Sequence, residues 1–365
     1  MKKLVFKICL AIVIFPIAAL ALSGIFVPKW VDGNNPQTFQ MENFNKLEEH
    51  SLDVLVLGSC QSYQGFNPAI LWESEGLTSY VLASPDQRIY VSYLYLLYAL
   101  QTQSPKVVLL DTLMFTEPNT KSHAFDTKAV YSVPDKKFWY DAQKEIFEIH
   151  YTGDKMLPQY YVDKAINAIQ AVFPVFTFNT TLDLTENWIR YYCGTLDNDT
   201  YNGSVPMYVH MDLSKLSNFM QDNSQTEHKL DPIAAEYVEK IVDVCKKNDI
   251  QLILYKTLSP SYWSYESNRI VSEYAEALGL EYIDFNMDWE AYGLDLSQHL
   301  YALWKLNADG MYITTQYLGD YITSHYGNLF DGRKTETTVV YYNDMSARYN
   351  EAYETAIWDV ANLSE

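Results

Sequence analysis

The chain has 365 residues, 48% of them hydrophobic, which is enough to bury one large core or two small ones and too apolar for wholesale disorder. Its formal charge is −20, and four of its 26 basic residues fall in the acid-free first 29 positions, leaving 22 bases against 46 acids in the rest. Such a surface repels polyanions, so neither nucleic-acid binding nor docking on anionic lipid is expected.

Residues 1–29 begin basic and run into Ile8–Phe26, an apolar stretch interrupted only by Pro16, Ser23 and Gly24. That length is near the lower limit for crossing a bilayer. A cleavable signal peptide is the rival reading, because Ala19-Leu20-Ala21 fits a small-residue cleavage site. The continuation to Phe26 favours an uncleaved anchor. Lys2, Lys3 and Lys7 would then keep the N-terminus cytoplasmic, giving a single-pass protein of the cell membrane whose main domain is extracytoplasmic.

After residue 50, short apolar runs alternate with longer helical patterns. Strands are expected at Asp53–Leu57, Ser79–Leu82, Lys106–Leu110, Gln251–Tyr255 and Glu281–Ile283. Helices are expected near Pro68–Glu75 and at Ile89–Gln103, Pro232–Lys247, Tyr265–Leu278 and Thr314–His325. This order implies a parallel sheet covered on both faces, a three-layer α/β/α domain built from residues 50–115 and 230–326. Residues 116–229 fit neither period throughout and are too many for a plain loop, so they read as an inserted helical cap, with a helix-like stretch at Val162–Val172. In the C-terminal extension, 327–365, Thr337–Tyr342 alternates like a strand and Ala347–Ala361 reads as a helix.

Cys9 lies in the anchor, leaving Cys60, Cys193 and Cys245 in the exported part. An odd number leaves at least one free thiol, with a Cys60–Cys193 disulfide open and Cys245 reading as a small buried hydrophobe. There is no CxxC and no zinc-type spacing, so neither a metal nor a cofactor is expected. The 31 tyrosines, where they line a cleft, would suit stacking on sugar rings.

Candidate chemistry gathers in two blocks. Gly58-Ser59-Cys60-Gln61-Ser62-Tyr63 follows the apolar run Val54–Leu57, where a parallel sheet presents loop residues at the carboxyl ends of its strands. Gly58 allows a sharp turn, and backbone N–H groups there could hold a developing oxyanion. The second block is Asp295-Leu296-Ser297-Gln298-His299-Leu300-Tyr301-Ala302-Leu303-Trp304-Lys305-Leu306-Asn307. Asp111 closes the third strand, and His210 stands at the end of the insertion.

Together the two blocks resemble the SGNH (GDSL-type) hydrolase family, in its membrane-anchored bacterial branch, which usually writes Gly-x-Ser-His and Asp-Gly-Gly-His-Leu-Asn. The likeness extends through Asn67-Pro68, Leu71-Trp72-Glu73 and Gln87, and through Lys256-Thr257-Leu258-Ser259-Pro260 to Tyr282–Asn286. It implies that Cys60 stands at the nucleophile serine, Ala302 at the triad aspartate and Lys305 at the triad histidine. Gln87 matches a glutamine that donates an amide hydrogen bond near the oxyanion, beside the Gly58–Ser59 turn. Relatives with intact triads resemble proteins that work beside membrane-bound O-acyltransferases, moving acyl groups to or from surface polysaccharides. With all three positions changed, the expectation is a degenerate accessory or binding protein whose partners are such an acyltransferase and an acylated glycan. The alternative is a Cys60-dependent esterase or O-acyltransferase in which the Lys305 charge stabilises the thiolate.

Overall fold

Residues 2–27, 37–119, 123–178, 189–190, 193, 201–211, 219–220, 229–332 and 334–363 are described in a computed structural model. In chain order the elements are α1 (Lys2–Phe26), α2 (Gln37–Phe44), β1 (Val54–Gly58), α3 (Cys60–Tyr63), α4 (Pro68–Glu75), β2 (Ser79–Ala83), α5 (Ile89–Ala99) and β3 (Val107–Asp111). Then come α6 (His123–Ser132), α7 (Lys136–His150), α8 (Pro158–Val172), α9 (Val175–Phe178), α10 (Pro232–Lys247), β4 (Gln251–Lys256), α11 (Tyr265–Leu278) and β5 (Glu281–Asp284). The hairpin β6 (Leu300–Ala302) and β7 (Lys305–Leu306), α12 (Ala308–Tyr326) and α13 (Glu336–Leu363) close the chain. By compactness there are two units, one of residues 1–32 with 126–197 and one of residues 33–125 with 198–365.

The sheet lies wholly in the second unit, with strands in the order β2-β1-β3-β4-β5 and every pairing parallel. β1 to β3 are buried along their whole length, which is why their sequences are continuous apolar runs rather than alternations. Val54, Val56, Val81, Val107, Leu109 and Ile253 face a core closed by Leu71 of α4 and by Leu318 and Ile322 of α12. α5 and α10 pack together on the other side, completing a three-layer α/β/α fold. The chain leaves β1 toward β2 on one side and returns to β3 on the other, so a topological switch point falls at the carboxyl ends of β1 and β3.

Two stretches depart from the sequence expectations. Residues 201–205 belong with the sheet rather than with the cap helices: Val81 N donates to Asn202 O at 2.9 Å, covering the edge strand β2. Gly203 (φ +87°) permits this approach, since a Cβ there would meet Val81 O at 2.1 Å.

The second departure is the C-terminal extension, where the alternating run Thr337–Tyr342 is helical and continues to Leu363 in one element, α13. Burial of Tyr342, Met345 and Tyr349 against Ala69, Ile70 and Tyr201 at helical spacing outweighs the β-propensity of Thr, Val and Tyr. Tyr342 also donates to Ser79 O at 2.9 Å, and Trp72 Nε1 donates to Asn343 Oδ1 at 2.8 Å.

A strand would put Val340 and Tyr342 on one face; in α13, Val340 is 61% exposed and Tyr342 only 1%. Tyr342→Ala should therefore cost about 3 kcal/mol, and Val340→Ala less than about 0.5 kcal/mol, in denaturant unfolding. Equal costs would return the segment to a strand.

Candidate functional site

The turn after β1 is locked by the residue that ends β3. Ser59 donates from Oγ to Asp111 Oδ2 at 2.7 Å and from its backbone N–H to the same oxygen at 3.3 Å. The Ser59 hydroxyl also accepts from Gln61 N at 3.2 Å as the cap of α3, and Asp111 Oδ1 accepts from Leu113 N at 3.1 Å. Ser59 and Asp111 are thus structural partners at the switch point. Gly58 is required there by space, since a Cβ would lie 2.2 Å from Ser62 Oγ and 2.4 Å from Asp111 Cβ.

Cys60 opens α3 with a partly buried side chain. Burial raises its thiol pKa above the ordinary value, and the nearby Asp86 and Asp111 carboxylates add to the rise. Lys305 and a hydrogen bond from the Asp86 backbone pull it down, without overcoming the burial. Among the described residues no histidine is a cause of its shift. Lys305 is held opposite Ala302 in the β6–β7 hairpin. The residues expected at the nucleophile and base positions thus do come within electrostatic reach of one another.

The other expected groups are engaged elsewhere. Gln87 is buried, donating from Nε2 to Leu82 O at 3.3 Å and to Ser92 Oγ at 3.0 Å and accepting from Ser84 Oγ at 3.0 Å, so its amide holds the β2–α5 loop together. His299 accepts at Nδ1 from Asp295 N at 2.8 Å, and burial lowers its pKa despite Asp309 and Asp295 nearby. His210 lies exposed, its Nδ1 2.8 Å from Gln298 O and its Nε2 3.9 Å from Asp309 Oδ2. Cys9, Cys60, Cys193 and Cys245 are all free thiols. Among the described residues no three His, Cys, Asp or Glu side chains converge as metal ligands.

Sequence reasoning missed Lys256 as a site residue. It ends β4 fully buried, and its ammonium donates to Gln61 Oε1 and, at 3.1 Å, to Thr257 O. Trp263 lies beneath it, ring centroid 5.2 Å away. Gln61 Nε2 passes the network on to Ser259 Oγ at 2.8 Å, and Ser259 N donates to Asn286 Oδ1 at 2.6 Å. Asn286 donates to Asp284 Oδ1 at 2.7 Å, while Asp284 Oδ2 accepts from Trp263 Nε1 and Asn268 Nδ2, each at 2.7 Å. Burial lowers the Lys256 pKa, and attraction to Asp111, Asp284 and a Cys60 thiolate only partly restores it. The signal in the sequence was a lysine closing the apolar strand Gln251–Lys256, where the pattern calls for a buried residue.

Both shifts run toward the uncharged forms, because burial raises the thiol and lowers the amine. No family model, curated protein or solved structure matches this chain.

With Cys9, Cys193 and Cys245 replaced, alkylation of Cys60 by iodoacetamide should rise with an inflection above pH 9.0, the ordinary thiol value. Lys305→Ala should move that inflection up and Asp86→Asn should move it down; an inflection near neutrality would contradict the assignment. Lys256 gives a second test, because its folded-state pKa lies below its unfolded value. The folded chain binds fewer protons in that window and gains stability as pH rises through it. Lys256→Met removes this gain, so the variant's stability relative to the native chain should decline from neutral pH toward pH 10.5, followed by urea unfolding.

Proposed function

We propose that this chain is a membrane-anchored, exported protein of SGNH/GDSL-hydrolase type whose degenerate site binds rather than hydrolyses. Its role would be that of an accessory partner in acylation of cell-surface polysaccharide. The observation that carries this reading is Cys60: burial and two nearby carboxylates raise its thiol pKa, and among the described residues no histidine is a cause of its shift. Raised above the ordinary value, the thiol yields less thiolate near neutral pH than a free cysteine does. Ala302, opposite Lys305 in the hairpin, has only a methyl group and so no hydrogen-bonding atom with which to orient a base. Support for the family comes from the Gly58–Tyr63 turn at the switch point and from the Cys60–Lys305 approach across two distant blocks. Support for the anchor comes from Val5–Ser23, 19 residues of mean hydropathy 2.6, preceded by Lys2 and Lys3, basic residues of the kind retained on the cytoplasmic side.

A second reading, a Cys60-dependent esterase or O-acyltransferase, is favoured by one observation: the buried Lys256 amine, whose pKa is lowered within reach of Cys60. In that chemistry the thiol proton passes to Lys256 and the thiolate attacks the ester carbonyl. The alkoxide departs with the proton, and the thioester is resolved by water or a sugar hydroxyl.

The two readings separate in a turnover assay of the full-length chain in detergent micelles with an aryl acetate. The leading reading expects no more than a stoichiometric burst, at most one equivalent of product per free thiol, unaffected by Lys256→Met. Sustained turnover, abolished in Cys60→Ala and reduced at least tenfold in Lys256→Met, would replace it with the enzyme.

A further inference from the structure

The unit formed by residues 1–32 and 126–197 wears its apolar surface outward. α8 packs on α7 through Tyr160, Lys164, Asn167 and Ala171. Tyr160 and Lys164 both donate to Glu148, and Asn167 Nδ2 donates to Gln143 O at 3.0 Å. At helical period the opposite side carries Tyr161, Val162, Ile166, Ile169 and Val172, with Tyr161 65% and Ile169 53% exposed. A surface helix in water turns its apolar stripe inward; α8 does the reverse. A contiguous apolar face of this kind marks an interaction surface.

What covers it follows from α1. Phe176 of α9 stacks on Phe15 of α1 with ring centroids 6.1 Å apart, and Val175 N donates to Ser23 Oγ at 3.3 Å. Ala19 and Ser23, one and two steps of four residues beyond Phe15, are buried, whereas most of the remaining apolar side chains of α1 are exposed. At 1.5 Å per residue, Phe15 lies roughly 16 Å along the axis from Phe26, near the middle of a hydrocarbon core about 30 Å thick. A helix seated on Phe15, Ala19 and Ser23 is therefore at the depth of the leaflet nearest the C-terminal end of α1. Phe176 itself remains 39% exposed, and α9 begins three residues after α8 ends.

We propose that α8 and α9 lie in that leaflet, their apolar face filled by the acyl chains of lipid with an uncharged or zwitterionic headgroup. The surrounding chain is strongly acidic, and the polar side of α8 offers Gln159, Asp163, Asn167 and Gln170 beside a Lys164 already paired with Glu148. Insertion is then driven by apolar area rather than by attraction to anionic lipid. The inference rests on reading α1 as an uncleaved span. Its consequence is a unit tied to the membrane at two places, α1 and α8–α9.

The test is nitroxide labelling of the full-length chain, its native cysteines replaced, in phosphatidylcholine vesicles. Labels go at Ile166→Cys and Ile169→Cys, with Ile12→Cys on α1 and the exposed Lys144→Cys on α7 as references. Collision with oxygen should exceed collision with a water-soluble nickel chelate several-fold at Ile166, Ile169 and Ile12, and the order should reverse at Lys144. Nickel dominance at Ile166 and Ile169, with Ile12 still oxygen-dominated, overturns the proposal and leaves the anchor intact. Nickel dominance at Ile12 as well would sink the anchor reading itself and the proposal with it. Shielding of Ile166 and Ile169 from both reagents would mean that protein covers the face, which also overturns it.

Discussion

A fully buried lysine with two neutral acceptors and an aromatic face is the constraint around which the carboxyl edge of the sheet is arranged. Removing the Lys256 ammonium from water costs several kcal/mol, and among the described residues no carboxylate pairs with it directly. The cost is offset by distributed means: Gln61 Oε1, the Thr257 carbonyl, the Trp263 ring and the more distant charges of Asp111 and Asp284. Each of those groups is fixed by a further bond, so the requirement of one side chain orders the ends of β1, β3, β4 and β5 together. Gln61 sits at its centre, which explains why α3 must begin where it does, and hence where Cys60 points.

The same constraint bears on chemistry. Depressing the amine and raising the thiol are two expressions of one low-dielectric environment, and both work against a standing thiolate–ammonium pair. For the thiol, Lys305 and the Asp86 backbone oppose this, while the Asp86 and Asp111 carboxylates reinforce it. Such a balance works against the charge separation from which nucleophilic catalysis starts.

Much of the architecture was legible because it depends on local periodicity. Runs such as Val54–Leu57 and Val107–Leu110 are apolar throughout because both faces of a parallel sheet are buried, and the helices between them reach nearly their expected bounds. Cys60 and Lys305, singled out in two distant sequence blocks, lie close enough for the lysine charge to act on the thiol. What was not legible depends on contacts that sequence neighbours do not announce. Lys256 looks like an ordinary strand end until Gln61 is brought over it. Gln87 is absorbed by Ser84 and Ser92 in its own loop. Thr337–Tyr342 alternates like a strand, yet folds as a helix because Ala69, Ile70 and Tyr201 bury Tyr342, Met345 and Tyr349.

The most direct measurement is the protonation of Lys256 itself. In full-length protein labelled with ¹³C at the lysine ε-carbon, its resonance is identified by its loss in Lys256→Met. A buried amine held as described titrates below the ordinary value of 10.5 and below every exposed lysine in the same spectrum. Titration at or above 10.5 would mean that a full charge is stabilised beside Cys60. The thiolate would then be favoured rather than suppressed, and the reading of a protonated, non-catalytic site would fail.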